Sequence, residues 1–278
     1  MSTESNVSVE PNQNPVKVGR WNLQRIGGIA ALTEAAIYIA GIVYFLVVLD
    51  YANITSPLQR VELFAANQMT LYAMNFLIYV VFGVVLVALV LALHERLKAG
   101  APTTMQAATA FGLIWAGLVI ASGMISNIGT SVVVDLYATD PDQAAATWLA
   151  ISPVVEGLGG GNEIVGGIWT LLVSLAALRA GLLHRAVNYL GAGVGLAGIL
   201  SAIPALGEVG GGIFGLTQIV WFVALGVSVA GTVRGSVSNQ PRSPALIMAP
   251  LSTALAGAGA AVCASGSHRC SGAPPRLT

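Results

Sequence analysis

Glu156–Ala180 reads EGLGGGNEIVGGIWTLLVSLAALRA. A polar, glycine-rich approach carrying Glu156, Asn162 and Glu163 leads into an apolar run from Ile164 to Leu178, which Arg179 stops. An uncharged apolar run between polar flanks is the pattern of a membrane-spanning helix. This one begins on an acidic flank and ends on a basic one, and the other apolar runs repeat that asymmetry.

The composition agrees. Hydrophobic residues make up 55% of the chain and charged residues only 9%, against about 25% charged in soluble domains. The mean hydropathy is +0.79. No segment of the 278 residues is long and polar enough for a large soluble domain. The formal net charge is zero, so no basic surface recommends nucleic acid as a partner. Cys263 and Cys270 both lie near the carboxyl end and form neither a disulfide framework nor a metal-ligand spacing.

Outward from the opening stretch, five further apolar runs bring the expected number of spans to six. They cover about Ile26–Leu49, Met69–Leu93, Ala107–Val133, Ala186–Ile203 and Gly211–Val233, most of them near the roughly 20 residues that cross ~30 Å of hydrocarbon. The expected fold is an all-α polytopic transmembrane helix bundle over residues 20–234. Residues 1–19 are polar, lack the apolar core of a secretory signal, and read as a disordered segment. Residues 235–278 read as a low-complexity disordered tail. Ala245–Ser265 is long enough to cross, but it is mainly Ala and Gly interrupted by Pro250, with little transfer energy to offer.

Orientation follows from the cations. Lys17, Arg20, Arg25, Arg96, Lys98, Arg179, Arg185, Arg234, Arg242, Arg269 and Arg276 fall on one side of a six-span arrangement. Only Arg60 falls on the other, which collects Asp50, Glu62, Asp135, Asp140, Asp142, Glu156 and Glu208. The positive-inside rule then places both termini in the cytoplasm. Two outer connections begin with helix-start signals, Ser56-Pro57 and Asp140-Pro141. In the second, Ala145, Trp148 and Leu149 fall at helical spacing, which suits a helix lying on the leaflet or capping the bundle.

Glu34 is the chief candidate for a site. It lies nine residues past Arg25, about 13 Å along a helix, and an intramembrane carboxylate is expensive unless neutralised or paired. Its two expected roles are proton relay or cation binding, and a protonated carboxyl bonded to Tyr38 or a neighbouring helix. Asn75 and Asn127 are the polar groups to test beside it. Ser122, Ser126, Thr170 and Ser174 read as interhelical hydrogen-bonding groups. A second candidate group, Glu156, Asn162, Glu163 and Glu208, lies at the outer ends of spans. There Glu163-Ile-Val-Gly-Gly-Ile-Trp169 echoes Glu208-Val-Gly-Gly-Gly-Ile-Phe214, as internal repeats of transporters do. Gly193-Val-Gly-Leu-Ala-Gly198 matches a dinucleotide fingerprint in letters only, because no strand precedes it. Gly191 and Gly195 read instead as a small-residue helix contact. No metal, haem or other cofactor is indicated: His94, His184 and His268 all lie outside the expected spans.

The run RIGGIAALTEAAIYIAGIVYFLV after the basic flank, the Asp-Gln-Ala-Ala-Ala segment before a glycine-rich span, and Leu178-Arg-Ala-Gly-Leu-Leu-His-Arg185 followed by Leu190-Gly-Ala-Gly-Val-Gly-Leu-Ala-Gly198 resemble the bacterial domain of unknown function 4386 family. The resemblance covers about Arg20 to Arg234. It implies a six-helix multi-pass protein of the bacterial inner membrane and carries no catalytic residue with it. The chain departs from that pattern at His184, where Pro is usual, and by the extra residues Ala186 to Tyr189. The expected function is that of an accessory or sensory membrane component without enzymatic machinery. Its partner is the lipid bilayer, with a second membrane protein or another copy of the chain as further candidates. The alternative is a small transporter or proton-coupled carrier using Glu34. A membrane enzyme would require polar side chains to converge with Glu163 and Glu208 on one pocket.

Overall fold

The computed structural model describes residues 20–160, 163–203 and 205–238. The expected amino-terminal segment, nearly all of the expected tail and the stretch Ala245–Ser265 lie outside the described residues. All regular structure among the described residues is helical. In chain order these are α1 (Arg20–Val43), extended by a π-helical turn at Tyr44–Val48, then α2 (Pro57–Ala66) and α3 (Gln68–Asn75). A second π-helical turn, Phe76–Val81, joins α3 to α4 (Phe82–Leu97). After α5 (Pro102–Tyr137) and α6 (Pro141–Val155) comes a third, Glu156–Gly160, then α7 (Ile164–Ala180), α8 (Arg185–Leu200) and α9 (Gly207–Ser238).

The boundaries have local causes. Pro57, Pro102 and Pro141 each occupy the first turn of a helix, where the missing N–H costs nothing. The Asp140 carboxylate accepts the Gln143 amide at 3.0 Å and caps α6. Gly181 ends α7 with φ of 64°, the left-handed conformation that glycine adopts without strain. His184 Nδ1 accepts the Ala186 amide at 3.2 Å and so starts α8.

Five segments among the described residues are long and apolar enough to cross a membrane: Leu23–Val48, Gln68–Leu97, Pro102–Tyr137, Pro141–Ala180 and Val209–Val229. Their outward faces carry large apolar side chains, among them Ile29, Val47, Ile128, Leu216 and Val227, each at least 60% exposed. Those side chains suit contact with acyl chains and are costly in water. The chain is therefore an integral multi-pass membrane protein with an all-α bundle. The expected fifth span differs: α8 has 16 residues, about 24 Å of helix against ~30 Å of hydrocarbon. The segment Pro141–Ala180 is 40 residues long but is broken beside Gly159, whose φ is 154°, so it divides into α6 and α7.

The bundle centre is aromatic. Trp115, Trp169, Trp221, Phe214 and Phe222 are all at most 2% exposed. Trp169 meets Trp221 edge-on at 5.7 Å and Trp115 at 5.5 Å, geometries that add to the area each ring buries. A second apolar cluster lies at the end of the bundle rich in Asp and Glu. There α2 and α6 meet through Phe64 and Trp148, rings edge-on at 4.7 Å. The buried face of α6 is Ala144, Trp148 and Val155, whereas Leu149 is exposed. The helix is thus packed on α2 and α5, and the spacing of Ala145, Trp148 and Leu149 marked its apolar residues more than its buried face.

Close helix contacts run through glycine. A methyl group on Gly195 would stand 2.7 Å from the Gly167 carbonyl oxygen and 2.7 Å from the Leu171 amide nitrogen, both backbone atoms of α7. One on Gly167 would stand 2.7 Å from the Gly195 oxygen. By contrast, nothing lies within 4 Å of the position a methyl would take on Gly193, in the same helix. Gly195→Ala therefore lowers stability by about 1–3 kcal/mol through overpacking, while Gly193→Ala leaves it unchanged or raises it by up to about 1 kcal/mol through helix propensity. Thermal unfolding of the two purified variants in detergent checks the contrast.

Candidate functional site

The three π-helical turns converge. A cavity of about 470 Å³ opens in the half of the bundle nearer the acidic end, and Phe45 and Leu46 of the first turn, Ile78 and Tyr79 of the second, and Glu156 and Gly159 of the third all line it. A π-helical turn inserts one residue into a helix and re-aims the side chains that follow, and such turns are frequent at functional sites. From Ile37 to Leu46, the α1 wall extends about 14 Å along the helix axis.

Each wall is held by a close approach. The Tyr79 side chain lies directly over Gly123 of α5, where no larger residue fits. Ile78 Cγ2 would be 3.1 Å from a methyl on Gly41. Trp115 stacks beside Gly166, with its ring carbons 2.7 to 3.1 Å from where a methyl would stand. At the deep end Tyr38 meets Phe82 edge-on at 5.3 Å and Phe222 at 6.2 Å. The rings of Tyr38 and Phe82 make the floor, with Phe222 behind Tyr38. Trp148 and Tyr51 stand toward the acidic end, and Tyr51 stacks parallel to Phe64 at 6.3 Å.

Polar groups are few and specific. Asn75 is buried and donates through Nδ2 to Ser126 Oγ at 3.1 Å, fastening α3 to α5 on the cavity wall. Ser122 donates to the Val155 carbonyl at 2.8 Å, holding the end of α6 against α5. Glu156 lines the cavity and is exposed. Glu163 also lines it, with Oε2 buried and without a hydrogen-bond partner among the described residues. Its amide donates to Ser201 Oγ at 3.4 Å, and Ser201 in turn donates to the Gly198 carbonyl at 2.7 Å. The residue that leads into α7 is thereby tied to the end of α8.

Of the residues singled out in the sequence, Glu34 is fully enclosed and does not line the cavity. Neither carboxyl oxygen has a hydrogen-bond partner among the described residues, so the bond to Tyr38 is not made. The close contacts Gly27 to Ala92 and Gly41 to Ile78 fix the α1–α4 register and place Glu34 midway, at the level of buried Leu86 in the apolar core. Asn127 lies one residue past Ser126 and donates to the Tyr72 carbonyl at 3.4 Å. Asn75 thus reaches the cavity, whereas Glu34 lies beneath its floor and Asn127 holds backbone beside it. Asn162 and the side chain of Glu208 lie outside the described residues, so Glu156 and Glu163 are the members of the second group that the structure brings to one cavity.

Two features had little signal in the sequence. The π-helical turns at Tyr44–Val48 and Phe76–Val81 lie in unbroken apolar runs, with neither Gly nor Pro to mark them. Buried Gln218 accepts from Thr170 Oγ1 at 3.3 Å and links α9 to α7; a polar residue inside an otherwise apolar run was its only mark. Among the described residues no three His, Cys, Asp or Glu side chains gather closely enough to hold a metal ion. Set against protein families, curated proteins and solved structures, the chain finds no match.

Glu34 has a consequence for stability. A buried carboxyl without a partner forfeits its hydration and gains nothing in return, a cost of about 1–3 kcal/mol. Glu34→Leu, close in volume and apolar, should therefore unfold at a higher temperature than the wild type in the same detergent. A lower midpoint would show that the carboxyl is satisfied in the folded protein.

Proposed function

We propose that the protein is a six-span accessory or sensory component of a bacterial inner membrane, with both termini cytoplasmic, that receives a small ligand in the cavity at its acidic, outer end. We extend the proposal to membership of the domain of unknown function 4386 family, which rests on the motifs around Leu178–Arg185 and Leu190–Gly198. In this arrangement α8 completes the sixth crossing between α7 and α9, against both of which it packs. The observation that supports the reading is the convergence of two π-helical turns, Tyr44–Val48 and Phe76–Val81, and of the kink at Gly159 on one cavity that ends at an aromatic floor. A cavity reached from one end and closed at mid-depth suits recognition. A carrier would need, in addition, a second arrangement in which the same site opens to the other face.

The wall among the described residues offers carboxylates, an amide, hydroxyls and rings. The second reading, a carrier centred on Glu34, is favoured by the two unpartnered carboxyl oxygens lying one helical turn from Tyr38 in the floor. Reconstituted vesicles separate the two. Wild type and Glu34→Gln should both show proton and solute flux at the level of protein-free vesicles. Flux above that level in the wild type overturns the receptor reading, and its loss in Glu34→Gln would give the carrier its residue.

A further inference from the structure

The charge and ring content of the cavity name the chemistry of an occupant, taking as given that the cavity is a binding site. Seven aromatic rings contribute to the wall, and its acidic side chains are Glu156 and Glu163; among the described residues no Lys, Arg or His lines it. Ring faces carry negative potential and attract a cation within about 6 Å of the centroid, most strongly where water is excluded. Two carboxylates add to that attraction and repel an anion. The wall also shows the preference at work, because the guanidinium carbon of Arg60, outside the cavity, stands 5.0 Å from the Tyr51 ring centroid. The Arg60 Nε meanwhile donates to the Ile54 carbonyl at 3.3 Å.

A neutral apolar occupant would satisfy the rings but leave the buried Glu163 oxygen without a partner. An inorganic cation would satisfy the carboxylates but leave an apolar wall of this size unfilled. The volume, about 470 Å³, falls within the roughly 300–1,000 Å³ of small-molecule sites. We infer that the cavity binds a lipophilic organic cation, a tertiary or quaternary ammonium on an apolar body. Glu156 at the mouth draws the charge in, Glu163 and the rings of Tyr38, Tyr79 and Trp115 hold it, and the aliphatic wall from Ile37 to Leu46 takes the apolar body.

The full chain in a non-ionic detergent tests this by calorimetry and tryptophan fluorescence with two probes of one shape, benzyltrimethylammonium and its uncharged carbon isostere neopentylbenzene. The cation should bind at least about tenfold more tightly. Glu163→Gln should weaken the cation about fivefold or more and leave neopentylbenzene unchanged. Equal affinity of wild type for the two probes, a comparison that needs no variant, overturns the cation assignment and leaves the cavity as an apolar receptor site. Failure of both probes to bind overturns the receptor reading as well. Dihexanoylphosphatidylcholine distinguishes the sources of such a charge: displacement of benzyltrimethylammonium assigns the site to a lipid headgroup, and its retention assigns the site to a free amine. Both results uphold the cation.

Discussion

In hydrocarbon a peptide N–H or C=O finds no water, so every backbone polar group must be bonded within the protein. That constraint makes helices of all the regular structure here, and it also dictates where they depart from regularity. A π-helical turn or a left-handed glycine disturbs the ladder of backbone bonds, and such a fault facing lipid would cost several kcal/mol. The turns at Tyr44–Val48, Phe76–Val81 and Glu156–Gly160 all put side chains on one interior cavity, and Gly159 abuts Val119 of α5 across it. Each turn thus reaches the cavity with part of its side chains, while Val47 of the first and Phe76 of the second face outward.

The same absence of water removes the usual hydrophobic drive between helices, leaving contact itself to hold them. Glycine supplies close contacts between helices, and aromatic rings fill the centre. Gly167, Gly195 and Gly198 let the backbones of α7 and α8 touch, and Gly210 brings α9 equally close to Ala197 and Ser201 of α8. The echo between Glu163–Trp169 and Glu208–Phe214 is matched only in part by the contacts. The aromatic residue of each copy turns to the same ring, Trp169 to Trp115 at 5.5 Å and Phe214 to Trp115 at 6.3 Å. The glycines that meet α8 differ in position, Gly167 in the first copy and Gly210 in the second, and nothing lies within 4 Å of a methyl on Gly212, the counterpart of Gly167.

Much of this was legible in the chain because lipid enforces simple rules of length and apolarity. The runs around Ile26–Leu49, Met69–Leu93 and Ala107–Val133, the starts at Pro57 and Pro141, and the glycine contact at Gly195 each follow from residue type and spacing alone. The cavity was less legible. Tyr38, Tyr79 and Trp115 look like any apolar residues of a span, and only the register between α1, α3 and α5 gathers them. That register depends on Gly41 and Gly123 each admitting a partner side chain, a pairing between helices that no single run records. The Glu156–Glu163 stretch did carry its signal, since Gly-Leu-Gly-Gly-Gly-Asn between two acids cannot continue a helix cheaply.

Glu34 was legible as an anomaly, and its surroundings explain why the anomaly alone could not define a site. A carboxyl at that depth acts on a ligand only if the ligand or water can reach it, and access here is decided by a neighbour. Tyr38, one turn along α1, contributes its ring to the cavity and wedges it between Phe82 and Phe222. The edge-to-face contact with Phe82 and the tilted one with Phe222 resist rotation, because turning the ring gives up both. The result is two acidic levels, Glu156 and Glu163 in the cavity and Glu34 sealed in the core, with the ring of Tyr38 in the cavity wall one turn from Glu34. The carboxylates that can meet a ligand are those set at the break between α6 and α7, and the acid written into the middle of a span is the one the fold keeps away from it.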